Sequence, residues 1–368
     1  MKKLKIAIVH DDFIQKGGAE ILVFDLIKEL SSLNRFEIAL FTSIISNNWE
    51  RKLENLNIKI YKSFLSRFPY SDRISKFYFI SNLFYLSFES FDFTEFDVVF
   101  SSSTRFGHSI ITKPDTLHIS YINSPSKMLW EIRKYFVGKR FLYQLIKNLL
   151  PNKRVFDFVT QQRSDIVISN SNNIARKIKR LYQRESKVLY PFVSISNDIL
   201  VTKKEDYYVL ISRLIPWKRI DYVIESFNHS SKKLLIIGKG NSSYINYLKS
   251  ISSRNIEFLG YVSNEDKVVK LKNSKALIVP QDEDFGLIIP EALILGTPII
   301  YYNQGGASEI LSEKYGQPFE NQDAKSLSAA ITLFEKKEFN TSELIEYGKN
   351  FTVSNFTNHL IKLIESKM

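Results

Sequence analysis

Short unbroken apolar runs recur along the chain, and longer amphipathic stretches separate them. The run Lys5 to Val9 predicts a buried strand. After a loop from His10 to Gly18, residues Ile21, Leu22, Phe24, Leu26, Ile27 and Leu30 fall at helical spacing and predict a helix over Ala19 to Leu30. Further strands are predicted at Ile38–Thr42, Ile58–Tyr61, Val98–Ser101, His118–Ile122 and Ile166–Ser169, with helical patterns between several of them. The second half repeats the scheme with Tyr207–Ser212, Leu234–Ile237, Ile256–Val262, Ala276–Val279 and Ile299–Tyr302. Strands alternating with helices argue for parallel sheets built from βαβ units. A polar, mixed stretch at 194–206 reads as a linker between two such units.

In open α/β sheets, ligands bind beyond the carboxyl ends of the strands. The most informative of those ends lies between Val279 and Ile299. There an acidic turn, Asp282-Glu283-Asp284, closes with Phe285-Gly286, and Pro290 is expected to open a short apolar helix that Gly296 ends. Glu283 stands on the loop and Glu291 just inside the helix. Ionised carboxylates suit hydroxyl-rich ligands because they accept from vicinal OH groups. Read alone, Glu291 is equally a first-turn acid facing the helix dipole, and Glu283 a solvated loop charge. At another strand end, Arg213 and Lys218 are spaced so that two cations can converge on one diphosphate. Near the N-terminus, Gly17-Gly18 stands at a strand-to-helix turn, where backbone N–H groups can approach a phosphate. The chain has neither GxGxxG nor GxxxxGK[ST], which argues against a dehydrogenase and a P-loop NTPase.

Composition narrows the reading. A length of 368 residues fits two ordinary domains. The absence of cysteine excludes disulfides, Cys-ligated zinc and thiol catalysis. The basic opening MKKLKIAIVH is followed at once by Asp11-Asp12 and reads as a first strand, not a signal, and no run approaches the ~18 apolar residues of a membrane span. A cytoplasmic protein is expected. The net charge of +12 fits an acidic partner, or a Lys-rich proteome with none. Residues 127–154 are the most basic stretch: Lys127, Arg133, Lys134, Lys139, Arg140, Lys147, Lys153 and Arg154 face one acid, Glu131. Trp130, Tyr135, Phe136, Phe141 and Tyr143 are interleaved, which suits an anionic membrane surface or, more plainly, amphipathic helices with a core side. No nucleic-acid motif accompanies them, so a nucleic-acid partner is not expected.

Taken together, the motifs resemble those of retaining glycosyltransferases of family 4. The run Glu283-Asp284-Phe285-Gly286-Leu287 … Pro290-Glu291-Ala292 … Gly296-Thr297-Pro298 has that family's two glutamates with seven residues between them. Arg213, four residues, Lys218, two residues and Asp221 match its phosphate-binding pattern, and Val9-His10-Asp11 … Gly17-Gly18-Ala19-Glu20 resembles its opening. Tyr121 to Glu131 resembles a stretch of one branch, with Asn123 where that branch usually has His, and Thr104 stands where a His is common. These departures weaken any His-based role, and His108 and His118 read as structural. The branch with Glu-Asp-Phe-Gly and Pro-Trp-Lys-Arg-Ile-Asp often uses GDP-mannose.

The resemblance implies a GT-B fold, two Rossmann-like domains facing across a cleft: an acceptor-side domain over 1–195, a nucleotide-sugar domain over 205–349, and a helix in 350–368 crossing back. It implies a metal-independent retaining transfer of a hexose, without cofactor, to a hydroxyl acceptor, with a lipid-linked glycan in cell-surface polysaccharide or lipopolysaccharide synthesis as the expected acceptor. Glu283, Arg213 and Lys218 would be catalytic. Gly17, Gly18, Asp284, Phe285, Gly286, Leu287, Glu291, Tyr261 and Val262 would bind the donor, with Glu291 on the ribose. Asp11 and Asn123 would lie on the acceptor side. A UDP-sugar donor, a nucleotide-sugar epimerase and an inactive glycan-binding relative stay open as alternatives.

Overall fold

The computed structural model describes residues 3–68, 71–75, 78, 81–135, 140–195 and 204–368. Residues 196–203 of the expected linker, Phe136 and Lys139, and the side chains of Lys134, Tyr135 and Arg140 lie outside the described part. The chain divides into two compact units, Met1–Pro191 with Val353–Met368, and Phe192–Thr352.

The first unit holds a parallel sheet of β1 (Leu4–His10), β2 (Phe36–Thr42), β3 (Lys59–Lys62), β4 (Val98–Ser103), β5 (Leu117–Ile122), β6 (Ile166–Ser169) and β7 (Lys187–Val188). Their order is β3-β2-β1-β4-β5-β6-β7. Ile6 is opposite Ile38 on one side and Val98 on the other. β1 is buried on both faces over Ile6–Val9, which is why that stretch reads as an unbroken apolar run rather than an alternating one; β4 is buried throughout although it ends in Ser101-Ser102-Ser103. The Phe-rich composition is spent on the core, where Phe41 packs against Tyr61, Phe91, Phe93 and Phe96 at 4.4–5.4 Å. The helix Gly18–Ser32 buries Leu22, Val23, Leu26, Ile27 and Leu30. Beside it packs the helix Val353–Glu365, which returns from the far end of the chain and buries Phe356, Leu360, Ile361 and Ile364. Each such side chain contributes about 1.5–3 kcal/mol on full burial.

The second unit has β8 (Tyr207–Ile211), β9 (Lys233–Ile237), β10 (Ile256–Gly260), β11 (Ala276–Val279), β12 (Ile299–Tyr302) and β13 (Gly316–Phe319), in the order β10-β9-β8-β11-β12-β13 and again all parallel. Two sequence expectations need correction, and the strands β7 and β13 were not expected. β10 stops at Gly260, two residues short of Val262. β13 had no strand signal, because Gly316 and Pro318 weaken one; both suit its position at the sheet edge. The apolar helix runs Ile288–Ile294, so Pro290 is its third residue and not its first. Proline is tolerated there because the first-turn N–H groups have no partner within the helix.

Both strand orders reverse direction once, between β1 and β4 and between β8 and β11. Those are the topological switch points, beyond whose carboxyl ends an open α/β sheet binds its ligand. Each unit therefore directs attention to one small set of loop residues.

Candidate active site

In the second unit, β8 ends before Ser212-Arg213 and β11 before Pro280 to Glu283. A short 3-10 turn, Pro216–Lys218, carries Lys218 back toward the switch point. Lys218 is only 8% exposed, unusual for a lysine, because its Nζ is paired with Oε1 of Glu283. The Nε2 of Gln281 donates to that same oxygen at 2.8 Å. Gln281 is itself buried, and the sequence reading missed it. Arg213, just beyond the end of β8, is exposed, and its guanidinium has no hydrogen bond or ion pair among the described residues.

The loop carrying Glu283 is held from outside the loop. Gly286 takes a left-handed φ of +84°, which gives the tight turn into the helix. The N–H of Gly306 donates to the Glu283 carbonyl at 2.8 Å, and a Cβ on Gly306 would lie 2.5 Å from the Phe285 Cα. The Gly305-Gly306 pair is thus the floor against which the loop rests. Phe285 anchors it from the other side, buried and 6.1 Å from the Phe351 ring. Asp284, Gly286 and Leu287 are half-buried around Glu283. Asp282 and Asp284 have Asp-x-Asp spacing, but no group of three or more acids or histidines able to hold a metal is gathered among the described residues.

Glu291 lies in the first turn of its helix, and its Oε2 accepts from Lys267 Nζ at 2.6 Å. Lys267 comes from another helix, Asn264–Asn273, and no sequence signal had marked it. Of the two donor-binding residues expected after β10, Val262 is half-buried and Tyr261 is 64% exposed, with Lys239 Nζ 4.2 Å above its ring.

The first unit's switch point is built differently. Asp11 directly follows β1 and is fully buried. Its Oδ1 accepts from the N–H groups of Phe106 and Gly107 and from Ser103 Oγ, and its Oδ2 from the N–H and Oγ1 of Thr104, at 2.6–3.2 Å. Burial alone would push its carboxyl up; Arg105, His10 and the backbone N–H groups outweigh that and hold it down at about 2. Arg105 also pairs with Asp12 at 2.7 Å. Asp11, expected at the acceptor, therefore spends both its oxygens on shaping the 103–107 loop. Asn123 is half-buried, donating to Ser102 Oγ at 3.0 Å and accepting from Asn170 at 2.8 Å.

Gly17 caps the helix that begins at Gly18, and the Glu20 carboxylate occupies the space where a Gly17 side chain would be. Burial pushes the Glu20 carboxyl up, and His10 and Arg105 oppose it. The sequence reading gave this buried acid no role. His118 is buried with Nε2 2.9 Å from Ser101 Oγ, and burial, with His108 adding, pushes it down to about 3. His108 stands between Ser103 Oγ at 3.2 Å and Asp157 Oδ1 at 3.3 Å. Asp157 also accepts from Trp130 Nε1 and Tyr182 OH, both at 2.8 Å. Trp130, read as part of a basic aromatic surface, thus points its indole N–H into the core.

Residues 194–351 match the family model described as glycosyl transferases group 1. The chain is 24% identical to the alpha-1,3/1,6-mannosyltransferase ALG2 of Kluyveromyces lactis, over 97% of this chain and 85% of that one. It is 29% identical to a GDP-mannose-dependent phosphatidylinositol monomannoside mannosyltransferase of Corynebacterium glutamicum, over 33% of this chain and 35% of that one. Among solved structures, Anabaena Alr3699/HepE in complex with UDP and glucose has the same fold, with a TM-score of 0.68 and 15% identity over 99% of this chain and 100% of that one. Two parallel-sheet units, a switch-point site with paired cations and carboxylates, and these likenesses lead to one conclusion: the chain is a glycosyltransferase with the GT-B fold, and residues 194–351 of its second unit match the glycosyl transferases group 1 model.

Proposed function

We propose that the chain moves a hexose from a nucleoside diphosphate sugar to a hydroxyl acceptor with retention at the anomeric carbon, with GDP-mannose as donor and a lipid-linked glycan as acceptor. The observation that carries this reading is the convergence of Lys218, Glu283 and Gln281 at the β8–β11 switch point, where Arg213 follows β8. When the sugar departs, negative charge collects on the β-phosphate. Arg213 can take it bidentately and Lys218 as a point charge, and such pre-aimed charge usually dominates catalysis. Binding of the diphosphate draws Lys218 from Glu283, and the released carboxylate orients the sugar or stabilises positive charge at its ring. The acceptor oxygen bonds to the anomeric carbon on the face from which the phosphate leaves, and the acceptor proton passes to the phosphate. No metal is required in this scheme. Glu291 holds the ribose.

The mannose donor is supported by likeness to relatives named as mannosyltransferases. A UDP-sugar is the second reading, favoured by the UDP-bound structure of similar fold. A lipid-surface acceptor is supported by Phe141, which is 78% exposed, and by Leu149, Val155 and Val159, also exposed, on a segment rich in Lys and Arg. Among the described residues no helix is long and apolar enough to cross a membrane.

Thermal shift with GDP-, UDP-, ADP- and dTDP-sugars in EDTA tests the donor. A ligand at about 100 times its Kd adds about 2.7 kcal/mol, several degrees of melting temperature. A shift with GDP-mannose alone supports the first reading, and one with a UDP-sugar replaces it by the second. Shifts only when metal is restored overturn metal independence, and conversion of the sugar without acceptor would indicate an epimerase. Vesicles of anionic lipid, but not neutral lipid, should co-sediment the protein.

A further inference from the structure

We propose that Lys267 is a positioning residue of the donor site, and that by fixing Glu291 it sets the enzyme's preference for a ribose over a 2′-deoxyribose donor. The inference rests on the reading of Glu291 as the ribose ligand. Glu291 and Lys267 belong to different helices, Ile288–Ile294 and Asn264–Asn273, and meet at 2.6 Å with side chains only 16% and 20% exposed. An exposed ion pair would fix neither partner. Here both have lost most of their water, so each holds the other's rotamer.

The pairing is one-sided. Lys267 occupies Oε2, while Oε1 of Glu291 accepts no hydrogen bond among the described residues. A carboxylate with one oxygen committed and the other available can accept from a sugar hydroxyl. Glu283 shows the same division: Lys218 and Gln281 both take Oε1, and Oε2 accepts nothing among the described residues. Lys218, however, belongs to the proposed diphosphate site. Lys267 has no such second task, and acts through Glu291 alone. Removing its charge would leave a largely buried carboxylate without its counter-charge, no longer held in one rotamer and drawn toward solvent. That displacement weakens acceptance from the ribose 2′-hydroxyl.

The test is calorimetric binding of GDP, UDP and their 2′-deoxy forms to the wild type and to Lys267→Met, Lys267→Arg and Glu291→Gln, with donor KM and kcat measured alongside. In the wild type the ribose form of the preferred nucleotide should bind about tenfold more tightly than the deoxy form, the size of one hydrogen bond to a charged group. Lys267→Met should weaken the ribose form about tenfold and the deoxy form about twofold at most, raising donor KM while kcat stays within about twofold. Lys267→Arg should restore the preference. Equal weakening of both forms, or an unchanged preference, overturns the proposal. Glu291→Gln separates the two claims. If it abolishes the preference and Lys267→Met does not, the role of Lys267 fails alone; if it leaves the preference intact, the ribose assignment fails. Should Lys267→Met melt markedly lower, Lys267→Gln gives the same readout. Binding of neither nucleotide by the wild type overturns both.

Discussion

Asp11 and Glu283 occupy matching places in the two units, each on the loop leaving a strand at a switch point, yet they are held in opposite ways. The Asp11 carboxylate accepts five hydrogen bonds, three of them from backbone N–H groups. Glu283 has a side chain 26% exposed, with a lysine and an amide on a single oxygen. Backbone donors cannot move away from an acceptor without unfolding the loop, whereas a lysine can turn to a new anion. The difference separates architecture from chemistry: the saturated acid should matter for stability and the half-satisfied one for turnover.

The sharpest test is at the half-satisfied end. Glu283→Ala and Arg213→Ala should each lower kcat by at least about 10²–10³-fold while the melting temperature stays within a few degrees. Full activity in either would remove the assigned role. The complementary change, Asp11→Ala, should cost about 3–5 kcal/mol in urea unfolding, because it leaves Arg105 under-compensated and several buried N–H groups without an acceptor. Its pH signature follows from a carboxyl held at about 2 against 3.8 in the unfolded chain. The folded state favours the ionised form, so this contribution, about 2–3 kcal/mol, is present above pH ~4 and is lost as pH falls toward 2.

His118 gives a smaller effect at milder pH. Burial keeps it neutral down to about 3, whereas the unfolded histidine binds a proton below 6.5. Its contribution is therefore complete above pH ~6.5 and falls by about 1.4 kcal/mol per unit as pH drops toward 3. Urea unfolding at pH 7 and pH 5 should differ by about 2 kcal/mol on this account, and His118→Gln should remove that part of the difference. The smallest effect is expected from Tyr261→Ala. The exposed ring and the lysine above it should alter nucleotide affinity by about two- to fivefold and leave stability unchanged.

Most strands of both sheets were legible because doubly buried parallel strands leave apolar runs, whereas the edge strands β7 and β13 were not, and the two-unit fold followed from the alternation of strands with helices. Glu283 with Glu291, and Arg213 with Lys218, could be singled out because each spacing lies within a single strand–loop–helix unit. How they pair across the unit could not be read in this way. Lys218 and Glu283 are 65 positions apart, and Lys267 and Glu291 are 24 apart, on helices whose contact only the packed unit creates. Asp157 was invisible for the same reason: its donors Trp130 and Tyr182 lie on other helices of the unit. Asp11 shows a different limit. Its place at a strand end suggested a ligand contact, and no local pattern reveals that loop amides already fill both oxygens.

The helix Val353–Glu365 carries a consequence for how the protein is made. It completes the face of the first unit along Gly18–Ser32, yet the whole of Phe192–Thr352 is translated before it. At about 5–20 residues per second, the ribosome leaves the earlier unit with an uncovered apolar flank for on the order of ten seconds or longer. During that interval the later unit can fold as an uninterrupted segment while the earlier one waits. The nascent chain is thus most exposed to aggregation, and most in need of a chaperone, at the part that emerged first.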